Sequence, residues 1–131
     1  MTKKLNRIML IDDDDDDNFF HRIVLEEIDA ANNVQVATNG FEALEYLSGD
    51  NQIPDLIFLD INMPKMNGWE FLTKYSKLGI DQKAKVVIIM LSTSINPADM
   101  ENAKRMSEIT GFRTKPLTAD MLKTILQDYF G

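Results

Sequence analysis

The chain has no cysteine, so neither a disulfide nor a thiolate metal site can form. It has a single histidine, His21, which excludes a histidine metal site; following several charged residues in a helical pattern, His21 reads as a solvated surface side chain. No stretch approaches the roughly 20 apolar residues needed to span a bilayer. The N-terminal Met1–Leu5 leads into a short apolar run and then six aspartates, unlike the unbroken apolar segment and small-residue cleavage site of a signal peptide. A cytoplasmic location is therefore expected. Basic excess is missing too: 14 Lys and Arg stand against 21 Asp and Glu, for a net charge of -7. A general nucleic-acid binder needs basic patches to displace counterions, so direct nucleic-acid binding is not expected. Internal repeats and a linker to a second domain are also absent.

What is present is an alternation. With 131 residues, of which 44% are hydrophobic and 27% charged, the chain reads as one globular domain, 1–131. A domain of that size buries roughly two-thirds of its unfolded surface. Apolar runs at Ile8–Ile11, Val34–Ala37, Leu56–Leu59, Val86–Leu91 and Ile109–Phe112 predict five strands. Between and after them, helical patterns predict helices near 17–30, over Asn39–Leu47 (Phe41, Ala43, Leu44 and Leu47 inward) and over Asn67–Leu78 (Trp69, Phe71, Leu72 and Tyr75). A fourth opens at Asn96-Pro97, with Asn as N-cap and Pro at the first helical position. The last runs from about Leu117 with Met121, Leu122, Ile125, Leu126 and Tyr129 at helical spacing. Strand–helix alternation with short connections implies a parallel sheet covered on both faces. In the first helix, Phe19/Ile23 and Phe20/Val24 form two apolar pairs, with Ile28 continuing the second. One stripe suffices for a core; the surplus is either a wider core face or a partner-docking patch.

Ligands of such folds bind at the carboxyl ends of the strands. Asp12 and Asp13 follow the first strand, Asp60 the third, Ser92 the fourth, and Lys115 comes shortly after the fifth. Asp60 precedes Ile61-Asn62-Met63-Pro64-Lys65-Met66-Asn67-Gly68, where Pro64 and Gly68 shape a tight loop. A carboxylate fixed there can attack phosphorus to give an aspartyl phosphate. A lone aspartate in such a place most often caps a turn; the company of Asp12, Asp13 and Lys115 turns the reading to chemistry. Asp12 and Asp13 suit a hard divalent cation such as Mg²⁺, which takes carboxylate, phosphate and water oxygens. Lys115 suits a phosphate oxygen and, before that, the Asp60 carboxylate. Cis peptides occur at about one X-Pro bond in twenty, so the sequence does not favour one at Lys115-Pro116. Ser92 could donate to a phosphate oxygen, with Thr93 and Ser94 as competitors. Asp15, Asp16 and Asp17 read as a solvated start of the first helix that complements its dipole, and Asp14 is left open between that run and the cation.

Taken together, Ile8-Met9-Leu10-Ile11-Asp12-Asp13, Leu59-Asp60, Met63-Pro64-Lys65-Met66-Asn67-Gly68, Leu91-Ser92 and Lys115-Pro116 resemble the receiver domain of bacterial two-component response regulators. The resemblance covers essentially the whole chain. It implies a three-layer, flavodoxin-like α/β fold of five βα units with a parallel sheet of order 2-1-3-4-5, and a stand-alone receiver without an output domain. By the same resemblance Asp60 is the phosphoacceptor, and Asp12, Asp13 and Asp60 hold Mg²⁺ with the backbone carbonyl of Asn62. Ser92 follows the phosphate inward, Lys115 is the motif lysine, and Phe112 is the switching aromatic, without the phenolic hydroxyl of a tyrosine. Asn62 and Ser94 would tune the lifetime of the phosphate. The implied partners are a histidine kinase or histidine phosphotransfer protein and a downstream protein target, with no membrane contact, the chain being a monomer or a phosphorylation-dependent dimer. Two rivals are weaker. An aspartyl-phosphate phosphatase needs a general-acid aspartate two residues after the nucleophile, where this chain has Asn62, and a degenerate interaction module would not keep every site residue.

Overall fold

Five apolar runs become five strands and the intervening patterns five helices in a computed structural model that describes residues 4–49, 53–78, 86–93 and 96–131. In chain order these are β1 (Leu5–Ile11), α1 (Asp15–Glu27), β2 (Ala31–Ala37), α2 (Gly40–Ser48), β3 (Leu56–Asp60), α3 (Gly68–Ser76), β4 (Val87–Ser92), α4 (Pro97–Arg105), β5 (Gly111–Thr114) and α5 (Ala119–Phe130). All strand pairs are parallel and the sheet order is β2-β1-β3-β4-β5, as expected.

Because successive side chains on a strand point to opposite faces, the sheet divides its apolar residues between two cores. Met9, Ile11, Ile57, Leu59, Ile88 and Met90 pack with Ala43 and Leu47 of α2 and with Phe71, Leu72 and Tyr75 of α3. Ile8, Leu10, Leu56, Phe58, Ile89 and Leu91 pack with Val24 and Leu25 of α1 and with Leu122, Ile125 and Leu126 of α5. The α4 helix buries no residue. It is tied in through the Trp69 indole N–H, which donates to Asp99 at 3.3 Å, and through the half-buried Met106 at its end.

Helix starts follow side-chain caps that satisfy otherwise orphaned N–H groups. Asn96 accepts from Asp99 N–H with Pro97 at the first helical position, and Asn67 and Glu70 form a reciprocal capping box. Asp14 caps α1 by accepting from the N–H groups of Asp16 and Asp17, so the helix begins two residues before the expected residue 17.

Several expectations are corrected. His21 is buried, at 2% exposure, and is not a solvated surface residue. Phe41 is 53% exposed and does not face the core. The last strand is displaced from Ile109–Phe112 to Gly111–Thr114. Ile109 N–H is spent on Met106 O in a turn, and the ladder starts only at the pair Ile89–Gly111. On α1 the surplus stripe stays outside: Phe19, Phe20 and Ile23 are exposed, while Val24 and Leu25 reach the core.

Candidate functional site

Register brings the strand ends to one level. Ile11 pairs with Leu59, Asp60 with Leu91, and Ser92 with Thr114. Asp12, Asp60, Ser92 and Lys115 therefore emerge along one edge of the sheet. Lys115 N–H donates to Ser92 O at 2.7 Å, which fixes where the lysine leaves β5. The Lys115–Pro116 peptide is cis.

The loop after β3 holds Asp60 in place. Lys65 adopts a left-handed backbone at φ 69°, uncommon for a residue with a Cβ. Gly68 N–H donates to Ile61 O at 2.8 Å. A Cβ on Gly68 would lie 2.7 Å from Asp60 O and 3.1 Å from Ile61 Cα, so only glycine lets α3 approach the end of β3 this closely.

Oxygen atoms of Asp12, Asp13 and Asp60 lie within 4.8 Å of one another, with Asp12 and Asp60 buried and Asp13 exposed. Asp12 spends one oxygen on Asp14 N–H at 3.0 Å and the other on the Lys115 ammonium at 2.7 Å. The same ammonium reaches Asp17 at 2.8 Å and Asp60 at 3.5 Å. Three carboxylates thus contact one ammonium, a fourth, Asp13, lies beside two of them, and the surplus negative charge is what a divalent cation would neutralise. The donor set is carboxylate oxygen with no sulfur or imidazole, which suits hard cations such as Mg²⁺.

The electrostatics follow from that crowding. Burial and then the neighbouring Asp12 carboxylate push the Asp60 carboxyl up to about 6, against the pull of Lys115 and of a hydrogen bond from the Asn62 backbone. Burial works against the charge of Lys115, but its hydrogen bonds to Asp12 and Asp17 prevail and raise its pKa. His21 is lowered, first by burial.

Ser92 is buried at 1% exposure, and Phe112 is half-buried against the core shared with α2 and α3. Asn62 is exposed beside Asp60; Ser94 lies outside the described residues. Three α1 residues enter the site from positions that the sequence reading placed in solvent or passed over. Asp17 binds Lys115. Asn18 donates to the Asp12 carbonyl at 2.8 Å, and the His21 Nε2 accepts from Leu117 N–H at 3.2 Å. A signal for them exists: stepping back from the buried Val24 and Leu25 by one helical turn lands on His21, and by two turns on Asp17 and Asn18.

Compared with known proteins, residues 8–127 match the family described as response regulator receiver domain. The sensor histidine kinase CheAY of Helicobacter pylori is 33% identical over 91 residues, covering 70% of this chain, which spans only 11% of that protein. The sporulation initiation phosphotransferase F of Bacillus subtilis is 31% identical over 111 residues, covering 82% of this chain and 83% of that protein. Among solved structures, a two component response regulator from Cytophaga hutchinsonii superposes with a TM-score of 0.86 at 30% identity, covering 97% of this chain and 98% of that one.

Proposed function

The chain belongs to the response regulator receiver domain family of two-component systems, and on that premise we propose that Asp60 receives a phosphoryl group from phosphohistidine and thereby switches a protein-binding face. The observation that carries this reading is the buried Asp60 carboxylate, with an ammonium 3.5 Å away and two further carboxylates within 4.8 Å.

Asp12, Asp13 and Asp60, with the Asn62 carbonyl, would hold Mg²⁺, which supplies positive charge against the phosphoryl oxygens. A donor kinase or histidine phosphotransfer protein presents its phosphoimidazole to the exposed mouth of the crevice. An Asp60 carboxylate oxygen attacks phosphorus in line. The O–P bond forms as the P–N bond breaks, and the donor ring, already protonated on its other nitrogen, takes the bonding pair and leaves as neutral imidazole. Lys115 turns toward the incoming oxygens and neutralises developing charge. Hydrolysis later cleaves the acyl phosphate, with Asn62 and Ser94 setting its lifetime. The chain is then a switch that acts only on its own phosphate.

The product carries about -1.5 to -2 charges at Asp60. Ser92 moves its hydroxyl to a phosphoryl oxygen, and Phe112 takes the vacated room. The face of α4, β5 and α5 changes shape for a downstream protein. Moving α4 costs little, since it buries no residue. No described helix is long and apolar enough to cross a membrane. Incubating the chain with acetyl phosphate and Mg²⁺ tests the reading by intact mass. One added phosphoryl group, absent in Asp60→Ala, is expected; no gain in the unaltered chain would refute it.

A further inference from the structure

Lys115 has three N–H donors, and the two short contacts lie away from the proposed phosphoacceptor. Its ammonium stands 2.7 Å from Asp12 and 2.8 Å from Asp17, against 3.5 Å from Asp60, beyond ordinary hydrogen-bond range. Asp12 belongs to the group of three carboxylates that could hold a cation; Asp17 does not. Asp17 sits in the first turn of α1, a position that a solvated aspartate would occupy without a partner. Here its carboxylate reaches across to the loop after β5. The backbone there is held from the same helix: the buried His21 accepts from the N–H of Leu117, two residues beyond the lysine. With Leu117 anchored and Lys115 N–H bound to Ser92 O, the lysine's backbone is fixed and only its side chain is free to choose a partner.

We propose that Asp17 is a positioning residue that parks the Lys115 ammonium on α1, so that it sets how readily the lysine serves Asp60. The inference rests on the phosphoryl-transfer reading above. Phosphorylation must draw the ammonium off Asp17, and the cost of that release slows the reaction. The Asp17 side chain is 37% exposed, so the pair is partly screened and the effect is of moderate size.

The test compares Asp17→Asn with Asp16→Asn, an equal charge change at an exposed neighbour for which no ion pair occurs among the described residues. The first-order rate of phosphorylation by acetyl phosphate is measured at saturating Mg²⁺. Asp17→Asn should be roughly twofold to fivefold faster than the unaltered chain, the scale of a partly exposed ion pair. Asp16→Asn and Asp17→Glu should stay near the unaltered rate. A purely structural role would lower thermal stability and rate together, whereas parking predicts a faster rate with stability unchanged or lower. A crystal structure of Asp17→Asn should show the Lys115 Nζ within about 3.0 Å of Asp60. A rate in Asp17→Asn no greater than in Asp16→Asn, or an ammonium still remote from Asp60, overturns the inference. If the unaltered chain takes up no phosphate at all, the functional reading fails instead, and the crystallographic distance still decides whether Asp17 parks the lysine.

Discussion

Asp60 sits where ionisation is resisted. Burial and the Asp12 carboxylate raise it from 3.8 to about 6. Between those two values the folded chain binds more protons than the unfolded one, so stability falls as pH rises through that window and levels off above it. The full effect is on the order of 3 kcal/mol. Asp60→Asn removes the titration. In metal-free buffer it should flatten the slope between pH 4 and 6 and leave the chain about 1–3 kcal/mol more stable than the unaltered protein at neutral pH, as read from urea unfolding. Equal slopes in the two proteins would show that Asp60 is not strained. A carboxylate disfavoured as an anion gains most when a bound cation relieves the crowding.

At the scale of elements, the loop from β3 to α3 is the most constrained part of the site. Gly68→Ala would press a Cβ onto Asp60 O and Ile61 Cα, both backbone atoms that yield only by moving the end of β3. It should destabilise the chain by about 1–3 kcal/mol and slow phosphorylation; an unchanged midpoint in denaturant would contradict the packing described. The strands were legible because buried parallel strands read as continuous apolar runs. Their carboxyl ends named Asp12, Asp13, Asp60, Ser92 and Lys115 at once. The inner face of α1 was not legible. Phe19, Phe20 and Ile23 supplied a competing apolar stripe, and the true inward face carries the polar Asp17, Asn18 and His21, of which Asp17 and His21 meet partners after β5 and Asn18 meets the carbonyl of Asp12. The boundary of β5 was misplaced because Ile109 belongs to a backbone-bonded turn and the pairing runs on through the polar Arg113 and Thr114, so apolar character did not coincide with pairing.

Across the whole molecule, helices α1 and α5 cover one face of the sheet and α2 and α3 the other, leaving α4 as the element most loosely tied to the core. The crevice lies at the sheet edge between these layers, so a ligand there stabilises the entire fold. Mg²⁺ binding only the folded chain should add about 1.4 kcal/mol for each tenfold excess over its dissociation constant. Thermal unfolding should therefore shift upward with Mg²⁺. Asp13→Asn, at an exposed position, should abolish most of that shift while leaving metal-free stability nearly unchanged; a shift of the same size in the variant would remove Asp13 from the cation site. The most direct measurement of the central claim is the location of the phosphate. Borohydride reduces an aspartyl phosphate to homoserine, and peptide mass mapping then reports the residue. Homoserine at position 60 and nowhere else is the predicted result; aspartate recovered intact at 60, or homoserine at another position, would contradict it.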